Sequence, residues 1–558
     1  MALSRSAAML ALLSACARSG GPELARRTDA APGAPPSVGP GRFALANRFA
    51  YIPPQCYTET RGPGGGGASN PCYACHVRSE PPNYVQDEDL QLTLSLPAPA
   101  ARNPWVNVLD PPVARAPRVS DDDVLAYVRR SNYFDERGGM TLARTLDHLR
   151  DADGTPHAWT GFRPDAWFSF DDRGFDRRPD GTPTGWRAFA YYPFLGTFFP
   201  TNGSMDDVLI RVDPSLQQDA DGRYDPRIYE VNLAVVEALM VRRDVPIDPT
   251  DEAWLGVDLD LDGTLGRATR VAFGPRMRYA GRAGADAGAF PVAPGLLPLN
   301  TEFLHSVRYL DVGADGVVQM APRMKELRYA KKVRWLSDVD LRRIEKREEA
   351  EQAAAPGGVT YFAAQADRGV YNAKGWLFQG FIEAADGALR PQSYEETVAC
   401  VGCHGGIGAT TDSIFSLPRK VSPADPARPA RGWYHWTQHG LGGLQEPRRR
   451  DGRYEYTLYL EANRAGDELR ENAEVLARFF DDKGALRPAE VARLHTDIGT
   501  LLLPGAARAL DLDRSYLAIV REQSFALGRD AVIEGATHVY AQAPVGEKTG
   551  IDKAIGPP

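Results

Sequence analysis

Cysteine occurs six times in 558 residues, and four of the six sit in two stretches of one form, Asn-Pro-Cys-Tyr-Ala-Cys-His at 70–76 and Ala-Cys-Val-Gly-Cys-His at 399–404. Residues three apart share one side of a helical turn, so each stretch presents two thiols together with an imidazole directly behind them. A chain with two such turns has to fold around whatever those groups hold.

The pattern reads as covalent haem attachment. Each thiol bonds one vinyl edge of the ring as a thioether, and a two-residue gap carries both sulfurs to neighbouring edges. The following histidine then lies under the iron. Cys72, Cys75, Cys400 and Cys403 are the expected attachment points, and His76 and His404 the proximal iron ligands. Three other readings fit the same residues: a redox-active Cys-x-x-Cys pair, a zinc ion held by all four cysteines, and two local disulfides.

The N-terminus is read separately. Met1 to Cys16 has one basic residue, Arg5, ahead of a short apolar run from Ala7 to Leu13, the layout of a secretory leader. Its end, Leu-Ser-Ala-Cys, resembles the bacterial lipobox, which implies lipid attachment at Cys16 and, with Ala17 following, sorting to the outer membrane in a Gram-negative cell. Residues 17–41 are rich in Pro, Gly and Ala and read as a flexible tether. Later in the chain no apolar run reaches the roughly 18 residues that span a bilayer. A formal charge of −8 over 558 residues creates no basic field, so no nucleic-acid partner is expected. Export agrees with the motifs, because haem attachment of this kind takes place outside the cytoplasm.

With both motifs and this leader, the chain resembles a bacterial dihaem c-type cytochrome of lipoprotein type. The resemblance covers the leader and the two short motifs. It implies two covalently bound haem c groups, electron transfer with periplasmic or membrane redox partners, and a location on the periplasmic side of the envelope. The motifs stand 328 residues apart. That is longer than expected for the dihaem peroxidases, thiosulfate dehydrogenases or rubber oxygenases, so no catalytic residue is carried over.

Texture along the chain predicts an α+β fold in which two mostly helical, loop-rich haem regions, 42–155 and 336–558, flank a β-rich middle region, 156–335. Gly62 to Gly67 forms a glycine-rich loop before the first motif. Ser-Asp-Asp-Asp at 120–123 opens a short capped helix. Aromatic and β-branched runs such as 185–200, 207–213 and 317–335, punctuated by Asp-Gly and Gly-Pro, predict strands. A helix is expected near 228–240, a charged helix after Ser337, and a hairpin over 375–391. Helical apolar spacing returns over 467–480, 488–503 and 514–527. No internal repeat is apparent beyond the motifs.

Each iron's sixth position separates a carrier from a catalyst. His435 and His439, four apart among aromatics, are expected distal ligands, with Cys56 and Met324 as further candidates; Cys56 is the cysteine left over once lipid and haem have taken the other five. Asp258, Asp260, Asp262 and Gly263 follow the first half of a calcium loop, which predicts Ca2+ there, although Thr269 stands where the bidentate glutamate belongs. The expected function is electron transfer through two covalent haems, and the alternative is an oxidoreductase in which one haem is the active centre and the other its electron port.

Overall fold

In the computed structural model the aromatic runs of the middle region pair into one large antiparallel sheet, and the fold is mixed α and β. The structure describes residues 45–557 apart from 60–71, 86, 116–118, 152, 195–199, 355–359, 366, 416, 422–428 and 465–471. The leader, Cys16, the tether and the glycine-rich loop 62–67 lie outside the described residues. Those that are described belong to one compact unit, Val38–Pro558.

At the centre of the sheet is the hairpin of Glu302–Val312 and Val318–Lys332, which pairs Glu302 with Lys331 and Val312 with Val318. Its turn is Gly-Ala-Asp-Gly, with Gly316 at φ +79°, a conformation that glycine adopts without a Cβ penalty. Outward on one side lie Leu209–Arg211, Pro183–Ala188 and Phe175–Arg177, and on the other Trp376–Glu383, Gly369–Tyr371 and Ala364–Gln365. Every residue of Trp376–Glu383 is buried. That explains why Trp-Leu-Phe-Gln-Gly-Phe-Ile-Glu lacks alternation, since a strand covered on both faces has no solvent side to mark.

This corrects the expected layout. Ala364–Gln365, Gly369–Tyr371, Trp376–Glu383 and Leu389–Pro391 come from the C-terminal region, yet they complete the same sheet as the middle region. Among its described residues the N-terminal region holds short 3-10 turns, the single helical turn Cys72–Cys75 and the helices Asp121–Arg129 and Thr141–Asp147, so the flanks are not clearly helical units. The helix expected near 228–240 runs Pro226–Val241 and the charged one after Ser337 runs Asp338–Ala354, while that expected over 514–527 starts earlier and ends sooner, Ala506–Glu522. Ser120 caps the first helix by accepting from the Asp123 amide, with three aspartates in the opening turn favoured by the helix dipole.

The sequence reading missed a small turn that recurs along the chain, with six examples outside the strands among the described residues. Bridges join Phe134 to Met140, Arg150 to Pro156, Phe170 to Asp176, Gln218 to Tyr224, Arg448 to Tyr454 and Phe480 to Leu486. Each loop turns at a glycine with φ between +78° and +84°. Asp135, Asp171, Asp219 and Asp481 stiffen four of them by accepting from the amides two and four residues on.

Three further bridges lace the N-terminal segment to the end of the chain, Thr58 to Val539, Thr93 to Lys548 and Arg102 to Gln542. The helix Ala506–Glu522 packs on the sheet and carries Asp513, 1% exposed, whose Oδ1 accepts from the Leu310 amide at 3.2 Å. Burial pushes the Asp513 carboxyl up to about 8, with nearby Lys325 and that amide pulling the other way. The native state therefore holds a proton that the unfolded chain, titrating near 3.9, gives up, and stability falls as pH rises between these values by about 1.4 kcal/mol per pH unit. Asp513→Asn is expected to abolish that slope. Urea unfolding at pH 5 and pH 8 should show the wild type losing stability relative to the variant.

Candidate functional site

Both cysteine motifs open into one cavity of about 450 Å³, with a mostly apolar lining that includes Cys72, Cys75, His76, Cys400, Cys403 and His404. The first motif is a single helical turn, Cys72–Cys75, which the His76 amide extends by donating to the Cys72 carbonyl at 2.8 Å. The second ends the helix Tyr394–His404. Ser393 and Glu396 close a capping box at the start of that helix, and Arg390 clamps Glu396 at 2.8 Å.

The two turns are held together by main chain. Glu395 accepts from the Ala46 and Asn47 amides at 2.9 and 2.7 Å, which lays the segment leading to Cys56 along the second motif's helix. Gly402, between the two cysteines, touches the Tyr51 carbonyl so closely that a Cβ would stand 1.8 Å from its oxygen. Beyond the motifs the Ala409 amide donates to the Cys75 carbonyl at 3.0 Å, and Asn83 donates to the Ile407 carbonyl at 2.9 Å.

Each histidine has one ring nitrogen occupied. His76 Nδ1 lies 2.9 Å from Asp87 Oδ2, an oxygen that also receives the Gly408 amide at 3.4 Å. His404 Nδ1 lies 2.7 Å from the Ser413 carbonyl, and Phe378 and Phe415 bracket the ring. Because these partners accept, Nδ1 carries the proton and Nε2 keeps the lone pair, the arrangement found in metal-bound imidazoles. Burial holds the His404 ring neutral, its pKa pulled down to about 4 with Arg328 adding to the effect.

These features fit a covalently held haem, whose hydrophobic ring needs an apolar jacket and whose iron needs a fixed neutral imidazole. They fit the other readings less well. Burial pushes the Cys72 thiol up to about 12 and the Cys403 thiol up to about 11, far from the reactive thiolates of redox Cys-x-x-Cys pairs. For zinc, three or more donors must converge. Among the described residues one such group exists, Glu252, Asp258 and Asp260, and it contains no cysteine.

The expected distal ligands separate. Cys56 does line the cavity, its thiol raised by burial and by neighbouring Cys72 and Cys403. His435, His439 and Met324 are not among the lining residues and are corrected. His435 is buried with both nitrogens taken, Nε2 by Asp207 at 3.0 Å and Nδ1 by Thr437 Oγ1 at 2.8 Å, and its ring stacks on Phe170. His439 lies exposed beside Tyr434. Met324 is 1% exposed in a separate core cluster with Tyr133 and Leu327.

The calcium expectation is altered too. Asp258 and Asp260 meet Glu252, a residue outside the Asp-x-Asp-x-Asp stretch, with donor atoms within 4.8 Å of one another. Asp262 instead turns to the Thr264 amide and hydroxyl. The polar end of the cavity is formed by Tyr191, Asp206, His305, Glu326 and Arg328, of which sequence reasoning missed all but His305. Asp206, Glu326 and Arg328 lie on strands where no motif marks them.

Comparison with known proteins places the chain differently from the cytochrome resemblance. A family model described as a "-like lipoprotein" matches residues 41–492. A protein of Aquifex aeolicus named "Uncharacterized lipoprotein" is 31% identical over 540 residues, covering 86% of this chain and 85% of the relative. No solved structure matches. No cytochrome family matches, so membership among the dihaem c-type cytochromes is overturned. Among the described residues no helix is long and apolar enough to cross a membrane, and attachment through lipid is what the family supports. With a match spanning most of its length, both motifs included, the chain belongs to this lipoprotein family.

Proposed function

We propose that the chain carries two covalently attached haems, one on Cys72 and Cys75 and one on Cys400 and Cys403, and passes single electrons between redox partners at the periplasmic side of the envelope. Lipid on Cys16 tethers it, to the outer membrane in a Gram-negative cell. The observation that carries this reading is the shared cavity, into which both motifs face with an anchored imidazole each. Bound haem supplies a one-electron iron couple. The protein's part is to hold the imidazoles still through Asp87 and Ser413, to exclude water with Phe378, Phe415 and Phe194, and to keep the two attachment turns in direct main-chain contact.

Haem content tests it directly. The full chain, produced in a host that exports and matures such proteins, is expected to retain two haems after acid–acetone extraction. Cys72→Ser/Cys75→Ser and Cys400→Ser/Cys403→Ser should each retain one. A colourless wild type overturns the reading. A second version, in which one haem is an active centre, is favoured by the polar end of the cavity and would show as a spectral response to added small oxidants.

The calcium proposal moves to Glu252, Asp258 and Asp260. Glu252 is 1% exposed and already orders the loop by accepting from the Leu259 and Gly266 amides at 2.6 and 2.9 Å. Asp258 Oδ1 is buried with no hydrogen-bond partner. Calcium at a hundred times its dissociation constant should stabilise the wild type by about 2.7 kcal/mol. Asp258→Asn should lose that gain, while Asp262→Asn should keep most of it; melting curves with calcium and with chelator decide.

A further inference from the structure

We propose that Asp206, with Tyr191 and His305, forms a proton-binding site on the cavity wall, so that an electron received in the cavity is accompanied by a proton. The inference rests on the haem reading above.

Asp206 ends the short strand Met205–Asp206, which pairs with Glu302–Val312 and thereby turns the carboxyl into the cavity beside His305. Its side chain is 13% exposed and lines the cavity. The surrounding charges are accounted for group by group. Asp207 is held by His435 at 3.0 Å, by the Ser306 amide and hydroxyl, and by Arg308 at 3.7 Å. Glu326 pairs with Arg328 at 2.9 Å and Arg529 at 3.2 Å. Asp206 differs from both: its hydrogen-bond donor is the neutral Tyr191 hydroxyl, and His305 Nδ1 stands 3.9 Å away. Burial and the charge of Arg328 keep the His305 ring uncharged, its pKa lowered to about 3. Burial, with the charge of Asp207, pushes the Asp206 carboxyl up to about 7, while the Tyr191 hydroxyl and Arg328 pull it down. A buried acid that, among the described residues, has no Lys or Arg salt-bridge partner of its own, poised at neutral pH on the wall that both motifs share, is what proton uptake requires.

The sign follows from charge. One electron from a one-electron donor makes the cavity more negative by one unit, which raises the proton affinity of Asp206. One solvent proton then bonds to a carboxylate oxygen, and both leave when the electron does. Between the oxidised-state and reduced-state pKa values, the reduction equilibrium should shift tenfold per pH unit, about 59 mV for a one-electron couple.

The test is a redox titration of the haem-loaded full chain from pH 5 to pH 9, paired with infrared difference spectra between oxidised and reduced forms. In the wild type, at least one midpoint potential should fall with rising pH through neutrality, and a carboxylic-acid stretch should appear on reduction. Asp206→Asn should flatten the potential and delete the band. Tyr191→Phe, which leaves the carboxyl in place but removes a hydrogen bond to its charged form, should move the sloping window to higher pH. A pH-independent wild type, or a slope and band unchanged in Asp206→Asn, overturns the proposal. Should Asp206→Asn fail to fold, the wild-type band and the Tyr191→Phe shift decide alone. Absence of haem, visible before any titration, would instead overturn the reading beneath it.

Discussion

Alanine at position 402 is expected to pry the second motif's helix from the Tyr51 segment and to cost the protein the haem proposed at that motif. Gly402 lies inside a helix, where alanine is ordinarily the better residue by about 1 kcal/mol. Here the added methyl would sit 1.8 Å from the Tyr51 carbonyl oxygen and 2.7 Å from its carbon, atoms of main chain that no rotamer change can move. The segment through Tyr51 is pinned two ways, by Glu395 upstream and by the 3-10 turn Pro54–Tyr57 downstream. Relief therefore requires the helix and that segment to separate, and overpacking of this kind costs about 1–3 kcal/mol, more where backbone must give. Gly440→Ala is the control, since a Cβ there meets nothing within 4 Å. Haem per chain and thermal melting of both variants provide the measurement. A Gly402→Ala protein with two haems and an unchanged melt would show that the Tyr51 contact does not hold the second motif's helix in place.

The second large effect is expected at Lys332→Met. Lys332 Nζ and Asp412 Oδ2 lie 2.5 Å apart, with side chains 1% and 2% exposed. Removing the cation strands a buried carboxylate that, among the described residues, keeps the Leu297 amide at 2.9 Å and the Trp376 indole at 3.4 Å, and breaking such a pair costs about 3–5 kcal/mol. The consequence reaches the site. Asp412 and Ser413 both adopt positive φ, 51° and 62°, a strained turn that the ion pair helps to hold, and it is the Ser413 carbonyl that fixes His404 Nδ1. Lys332→Met should lower the urea midpoint and broaden the spectrum of the haem at the second motif. Lys332→Met/Asp412→Asn should recover much of the stability, because no uncompensated charge remains. Equal losses in the single and double variants would exclude this account.

The parts of the site that are local were legible in the sequence as a pattern of residues. Cys-x-x-Cys-His needs five consecutive residues and nothing else, and the hairpin Glu302–Lys332 shows itself through β-branched runs around an Asp-Gly turn. What stayed hidden depends on contacts across hundreds of positions. Asp87 has no distinguishing neighbours, yet it serves His76 and reaches Gly408 across 321 residues. Aromatic surroundings drew attention to His435 and His439, but composition says nothing about which way a ring nitrogen faces, and Asp207 had already claimed one of them. Trp376–Glu383 was readable as a hairpin strand, while its membership of the middle region's sheet, which undoes the picture of separate helical flanks, followed only from pairing with Val318–Lys332. The Glu252 carboxylate completes the acidic loop from six residues upstream of Asp258, outside the spacing that a linear motif encodes.

The bridges from Thr58, Thr93 and Arg102 to Val539, Lys548 and Gln542 bear on the order in which the molecule assembles. The six small turns close over six residues each and can form as soon as their own stretch emerges from the translocation channel, whereas pairings more than 400 residues apart must await the last of the chain. Until then the segment from Thr58 to Arg102, which carries Cys72 and Cys75, lacks these pairings. Its docking is thereby placed last, with the final stretch of polypeptide acting as the latch.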